Sequence, residues 1–309
     1  MQHFIRNQDL SVPVVLDLIK RAQALATGQL DLSQHGVQRQ LGCLFYEPST
    51  RTRLSFASAM HGLGGQVIGF ESSDSASVTK GESLTDTIQV VSRYTDMIVL
   101  RHPQSQAAQV AASVATVPVI NAGDGSHLHP TQTLADLMTI KQYHDTLNGL
   151  TVAFVGDLKY SRTVHSLVRE LLRFGSQRFI FVSDPALKIP ADLSIELIKK
   201  SVSFTEVSQL ATIQEPLDVL YLTRIQKERF STMVEYEQVK DTVGLQPAQA
   251  DLLRSNTLLM HPLPRGTELP VTFDHYPQAK YFDQVLFGRY MRMVLIDYLL
   301  QVNGKELNK

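Results

Sequence analysis

Ser49, Thr50, Arg51, Thr52 and Arg53 place two hydroxyls, an arginine, a third hydroxyl and a second arginine in one unbroken row. They follow Phe45-Tyr46-Glu47-Pro48, at the end of an apolar run over 41–46, and they precede an amphipathic segment that reaches Gly64-Gly65. That order predicts a strand, a tight turn and a helix starting on Ser49 or Thr50. The first backbone N–H groups of such a helix have no intrahelical partner, and the helix dipole is positive there. A phosphate suits that place. Ser49, Thr50 and Thr52 can add hydroxyl donors, and Arg51 a charged, two-pronged one.

Further polar clusters recur along the chain at Arg101-His102-Pro103, His129-Pro130-Thr131-Gln132, Gly156-Asp157 through Arg162, Thr223-Arg224-Ile225-Gln226 and His261-Pro262-Leu263-Pro264-Arg265. Each follows a short apolar run. Strands are expected over 41–46, 66–70, 96–100, 117–120, 151–155, 178–182, 217–222 and 257–260. Helices are expected over 12–26, with apolar residues at Val15, Leu18, Ile19, Ala22 and Leu25, after residue 49, with Leu54, Ala57, Met60 and Leu63 facing inward, and over 104–114 and 161–174. Others are expected from Pro130 onward, near 193–200, over 247–254 and over 287–300. Strand–helix alternation in both halves predicts an α/β protein of two domains, each a parallel sheet flanked by helices. Asn148-Gly149 is a turn signal at the boundary. Ligands of such sheets bind beyond the carboxyl ends of the strands, where all the polar clusters fall. The expectation is one active site in the cleft between the domains.

The chain has 309 residues, 43% hydrophobic and 19% charged, with a net charge of −1. Two domains with real cores are affordable at this length. Near-neutrality gives no general attraction to nucleic acid or to a membrane surface, so an anion site must be built locally. Cys43 is the single cysteine and sits inside an apolar run. It reads as a buried structural thiol in a reducing, cytoplasmic setting. No signal core or membrane-length apolar run is present. Residues 71–82 are polar and Ser-rich, and read as a mobile surface loop. Gly156 after a strand lacks the G-x-G-x-x-G spacing of a dinucleotide site. His127 near His129 has no third ligand of matching pattern, so no metal is expected.

Phe-Tyr-Glu-Pro-Ser-Thr-Arg-Thr-Arg, Leu-Arg-His-Pro, His-Pro-Thr-Gln, Arg-x-Gln and His-Pro-Leu-Pro, in that order across the whole chain, resemble the catalytic chain of the aspartate carbamoyltransferases, within the aspartate/ornithine carbamoyltransferase superfamily. The resemblance implies transfer of a carbamoyl group from carbamoyl phosphate to the amino group of L-aspartate, an early step of pyrimidine synthesis. It implies a carbamoyl phosphate-binding domain over 1–140 plus the C-terminal helix 287–309, and an aspartate-binding domain over 150–286. By resemblance Ser49, Thr50, Arg51, Thr52 and Arg101 hold the phosphate. Thr52, Arg101 and His129 are aimed at the carbonyl oxygen, where negative charge builds in the reaction. Gln132 accepts from the carbamoyl NH2. Arg162, Arg224 and Gln226 bind aspartate, arginine suiting carboxylates better than lysine does. Leu263 and Pro264 contribute backbone carbonyls. Ser77 and Lys80 enter a neighbouring subunit's site, Lys80 serving both substrates, which implies a homotrimer. Glu47 and Arg229 are candidates for a salt bridge across the domains.

No cofactor is implied, because carbamoyl phosphate is already activated. A regulatory chain or a dihydroorotase is a conceivable partner. This sequence departs from many relatives in having a lone Lys80 after Thr79, and Phe287-Gly288 where Asn-Gly is common. Two alternatives stand beside this reading: an ornithine-type carbamoyltransferase, and a non-catalytic scaffold subunit.

Overall fold

The run Gln40–Phe45 forms strand β1 and is buried along nearly its whole length, as expected of a parallel strand covered on both faces. The computed structural model describes residues 1–72, 77–125 and 128–307, and the chain divides into two compact units, 1–138 with 286–309, and 139–285.

In the first unit β1, β2 (Gln66–Phe70), β3 (Met97–His102) and β4 (Val119–Asp124) make a parallel sheet in the order β2-β1-β3-β4. The helices are α1 (Val12–Ala26), α2 (Thr50–Gly62), α3 (Leu84–Val91), α4 (Ala107–Val114) and α5 (Pro130–His144), the last of which runs on into the second unit. In the second unit β5 (Thr151–Gly156), β6 (Arg178–Val182), β7 (Ser203–Val207), β8 (Val219–Thr223) and β9 (Leu258–Met260) are again parallel, in the order β7-β6-β5-β8-β9. Helices α6 (Arg162–Leu171), α7 (Ala191–Lys199) and α8 (Met233–Val239) accompany them, and α9 (Tyr281–Leu307) starts there and continues in the first unit. The core around β5 holds Phe154, Phe179, Phe181 and Tyr221, all fully buried, with the Phe154 ring 5.6–6.0 Å from the other three. Each such side chain contributes about 1.5–3 kcal/mol by burial.

Strand order decides where a ligand can sit. Successive strands are added on one side of β1 and then on the other, so direction reverses between β1 and β3; in the second sheet it reverses between β5 and β8. Loops leaving the carboxyl ends of such a pair diverge and leave a crevice. Residues 46–52 follow β1 and Arg101 lies near the carboxyl end of β3 in one pair; residues 157–162 follow β5 and 224–226 follow β8 in the other.

One expectation needs correction. Leu54 does not face inward: it is 57% exposed, and α2 buries Thr52, Phe56, Ala59 and, as expected, Met60, with Leu63 buried just past its end and Ala57 only half-buried. Strand β7 and helix α8 carry no sequence expectation at all. As a sheet-edge strand, β7 exposes Ser203, Thr205 and Glu206 and so lacks an apolar run, while α8 leaves Met233 and Val234 exposed. Among the described residues no helix is long and apolar enough to cross a membrane.

Candidate active site

At the first reversal, Ser49 is the N-cap of α2 and its side chain makes no capping bond to the helix. Its hydroxyl is therefore not spent on the N–H groups that a cap usually satisfies. Thr50 and Arg51 are exposed on the first turn, while Thr52 is buried. Arg53 turns away to pair with Glu71 at 2.7 Å. Parallel pairing sets Arg101 beside Phe45, and the Tyr46 N–H donates to the Arg101 carbonyl at 2.8 Å, so strand register brings Arg101 to the turn. The Arg101 guanidinium is only 12% exposed; Nη2 pairs with Glu47 Oε1 at 2.7 Å and Nη1 donates to the Ala122 carbonyl at 3.2 Å. Glu47 is thus held by Arg101.

From β4 the chain runs to His129, buried, whose carbonyl accepts from the N–H of Gln132 at 3.1 Å as α5 begins on Pro130. Gln132 Nε2 donates to the buried Asp136 Oδ1 at 2.8 Å. A carboxylate only accepts, so Gln132 must turn its NH2 toward Asp136. Helix α9 braces α2: Arg289 Nε donates to Ser58 Oγ at 2.8 Å and Arg292 Nη1 to Ser55 Oγ at 2.9 Å. Gly288 fits this contact, because a Cβ there would lie 2.7 Å from Arg292 Nη1. Cys43 is fully buried and burial pushes its thiol up to about 12, which removes it as a nucleophile near neutral pH.

At the second reversal, Gly156 has φ +120° and a Cβ there would stand 2.0 Å from the Thr223 carbonyl oxygen. Close approach of β5 and β8 explains that glycine. Asp157 is fully buried; its two oxygens accept from the N–H groups of Tyr160 at 3.0 Å and Gln226 at 3.3 Å. Burial raises its pKa, and these bonds oppose the rise. The carboxylate thereby ties the loop after β5 to the loop after β8. Arg162 opens α6 and Arg224 leaves β8, both partly exposed. Arg224 Nη1 donates to Glu228 Oε2 at 3.0 Å and Nη2 pairs with Oε1, which raises the Arg224 pKa. Gln226 caps the short turn Lys227–Arg229. Beyond β9, Leu263 has φ +53° and the Leu263–Pro264 bond is cis.

Sequence motifs match over both units. Residues 2–142 match the profile described as the carbamoyl-P binding domain of aspartate/ornithine carbamoyltransferase, and residues 148–299 match its Asp/Orn binding domain. The chain belongs to the aspartate/ornithine carbamoyltransferase family. Among carbamoyltransferases, the aspartate carbamoyltransferase catalytic subunit of Lachnoclostridium phytofermentans is 45% identical over 99% of this chain and its own full length. The catalytic subunit of aspartate transcarbamoylase from M. jannaschii has a TM-score of 0.90 at 45% identity, over 98% of this chain and 99% of that one. The Trypanosoma cruzi aspartate transcarbamoylase, in complex with carbamoyl aspartate and phosphate, has a TM-score of 0.88 at 37% identity, over 96% and 95%.

Lys80 is exposed at the end of a short 3-10 turn, Ser77–Lys80; the Ser77 side chain, loop residues 73–76 and His127 lie outside the described residues. Among the described residues no group of three or more His, Cys, Asp or Glu side chains is disposed to hold a metal. Three members of this carbamoyltransferase's site escape sequence reasoning. Gly123, φ +119°, would drive a Cβ to 2.6 Å from Arg101 Nη1, so it makes room for that guanidinium. Asp136 orients Gln132, a contact that the i, i+4 spacing could have suggested. Asp157 joins two loops 69 positions apart, which no local pattern reports.

Proposed function

We infer that this chain is an aspartate carbamoyltransferase: it transfers the carbamoyl group of carbamoyl phosphate to the amino group of L-aspartate, giving N-carbamoyl-L-aspartate and phosphate. Within the family, the observation that selects aspartate is the pair of arginine-bearing loops at the second reversal. Arg162 and Arg224 offer two guanidinium forks for two carboxylates, while Asp157 is spent on backbone N–H groups and Glu228 on Arg224. An ornithine site needs acidic groups for an extended amine. Near-full-length similarity to the L. phytofermentans catalytic subunit, and the T. cruzi complex with carbamoyl aspartate and phosphate, support the same choice.

In this reading Ser49, Thr50, Arg51, Thr52 and Arg101 bind the phosphate, and residues 1–140 with 287–309 form the carbamoyl phosphate domain. Thr52, Arg101 and His129 stabilise the carbonyl oxygen as it gains charge; one such donor is worth about 3–4 kcal/mol. Gln132, its NH2 turned to Asp136, offers Oε1 to the carbamoyl NH2. Residues 150–286 form the aspartate domain, where Arg162, Arg224 and Gln226 hold the two carboxylates and the Leu263 and Pro264 carbonyls direct the amine. The amine nitrogen bonds to the carbonyl carbon, the carbon–oxygen bond to phosphate breaks, and the amine proton leaves on the phosphate. The protein supplies proximity and fixed charge, and the reaction as written needs no covalent intermediate. We further propose a cytoplasmic homotrimer working in pyrimidine synthesis, with Ser77 and the exposed Lys80 completing a neighbouring subunit's site. Purified protein given carbamoyl phosphate with aspartate or with ornithine should carbamoylate aspartate; preference for ornithine overturns the reading.

A further inference from the structure

His261, the first residue after β9, is 1% exposed and uses both ring nitrogens. Nδ1 accepts from the Leu263 N–H at 2.8 Å, and Nε2 bonds Glu268 Oε1 at 2.9 Å. A nitrogen that accepts from a backbone N–H carries no proton, so the ring proton sits on Nε2 and points at the carboxylate. The same Glu268 oxygen accepts from the Gly266 N–H at 2.7 Å, and the His261 N–H donates to Gln284 Oε1 at 3.1 Å. Burial pushes the Glu268 carboxyl up, but the bonds from His261 and Gly266 outweigh it and leave the pKa lowered, so the group is a settled anion. Between these anchors Leu263 lies in the left-handed region, at φ +53°. For a residue with a side chain that costs roughly 1–2 kcal/mol, and such a conformation persists where surrounding bonds over-determine it.

We propose that His261 and Glu268 are a positioning pair for the second substrate. Glu268 fixes the ring, the ring fixes the Leu263 N–H, and the carbonyls of Leu263 and Pro264 are thereby held toward the acceptor's amine. The proposal rests on the aspartate reading above, in which those carbonyls direct the amine. His261 itself touches no substrate; it acts through the turn.

The test compares two substitutions that divide the ring's two functions. Asparagine places its Oδ1 near the Nδ1 position and still accepts from Leu263; glutamine places its amide near Nε2 and leaves the Leu263 N–H without that acceptor. Losing an acceptor at a buried donor costs about tenfold, so His261→Gln raises the KM for aspartate by about that factor. The KM for carbamoyl phosphate stays within about twofold, and His261→Asn recovers most of the loss. Succinate, the same dicarboxylate without an amine, inhibits the unaltered and Gln proteins at similar concentrations. Equal losses in the Asn and Gln proteins, or both KM values rising together, overturn the proposal, since a packing defect would move them alike. If the histidine variants are unstable, Glu268→Ala releases the ring from its other side and raises the aspartate KM while succinate, which reads the nearby Arg224 charge, inhibits as before; unchanged KM values, or a shift in succinate inhibition of the same size, overturn the pairing. Absence of aspartate carbamoylation by the unaltered protein is a separate result: it rejects the underlying reading before any variant is compared.

Discussion

The two strand-order reversals are built on the same plan and solve different charge problems. In each unit a strand ends, a serine caps a helix without bonding it through its side chain, and a second strand brings an arginine alongside. In the first unit the cap, Ser49, is followed by Thr50, Arg51 and Thr52 on one helix turn, so backbone N–H groups, hydroxyls and charge are gathered at one helix end, where the proposed function has them converge on the phosphate. In the second, the cap hydroxyl of Ser161 is buried and shared with Thr163 at 3.1 Å and Thr223 at 3.3 Å. That helix end has spent its hydroxyl on tying the loop after β5 to β8, and in the proposed function anion binding falls to the arginine side chains. Convergent donors suit a tetrahedral dianion; separate forks suit two carboxylates set apart on a short chain. The arginines also differ in burial. Arg101 is 12% exposed and its partner Glu47 29%, whereas Arg224 and Glu228 are 32% and 54% exposed.

If the first site depends on convergence, removing one charged member should do disproportionate harm. Arg51→Ala should lower kcat/KM by about 10³-fold, the cost of a charged donor used in the transition state. Calorimetry should show carbamoyl phosphate binding weakened while circular dichroism is unchanged, because Arg51 is exposed and fills no core position. Normal turnover in this variant would falsify the phosphate role.

The contrast was unevenly legible in the sequence. Helix α1, strands β1 and β6 and the start of α2 follow from local pattern, because their burial and capping are decided by neighbours in the chain. The Ser49–Thr52 row is legible for the same reason. Edge strand β7 is not, since one face meets solvent and carries polar residues. Leu54 shows the limit of apolar counting: the stripe through Thr52 and Phe56 is the buried one, and a threonine on it is kept inside. Partners of the site arginines were the hardest to read. Glu47 lies 54 positions from Arg101 and is matched to it only by the register of β1 against β3. Asp157 reaches Gln226 only through the pairing of β5 with β8.

The second site sharpens the comparison from the other side. If its arginines act as separate forks, losing one should affect a single substrate. Arg224→Ala should raise the aspartate KM by about 10²-fold, the range for a lost charged, two-pronged contact, and the carbamoyl phosphate KM far less. Steady-state kinetics with each substrate varied in turn measures both. An equal rise in the two would place Arg224 with the convergent site and erase the distinction.

The smallest effect concerns the internal carboxylates. Glu228 occupies both nitrogens of the Arg224 fork, the same atoms that a substrate carboxylate would use, so in the proposed function aspartate displaces it. The pair is partly exposed, which limits its strength to about 0.2–1 kcal/mol. Glu228→Gln should therefore lower the aspartate KM by about fivefold at most, and the gain should shrink as salt screens the competing pair. The matching change in the first unit has a different sign. Glu47 is more buried, and its partner Arg101 also donates to the Ala122 carbonyl, so Glu47 helps to set the guanidinium in place as well as occupying it. Glu47→Gln should reduce turnover. Kinetics on the two glutamine variants, at low and high salt, reads the contrast directly: a competitor in the second unit, a brace in the first.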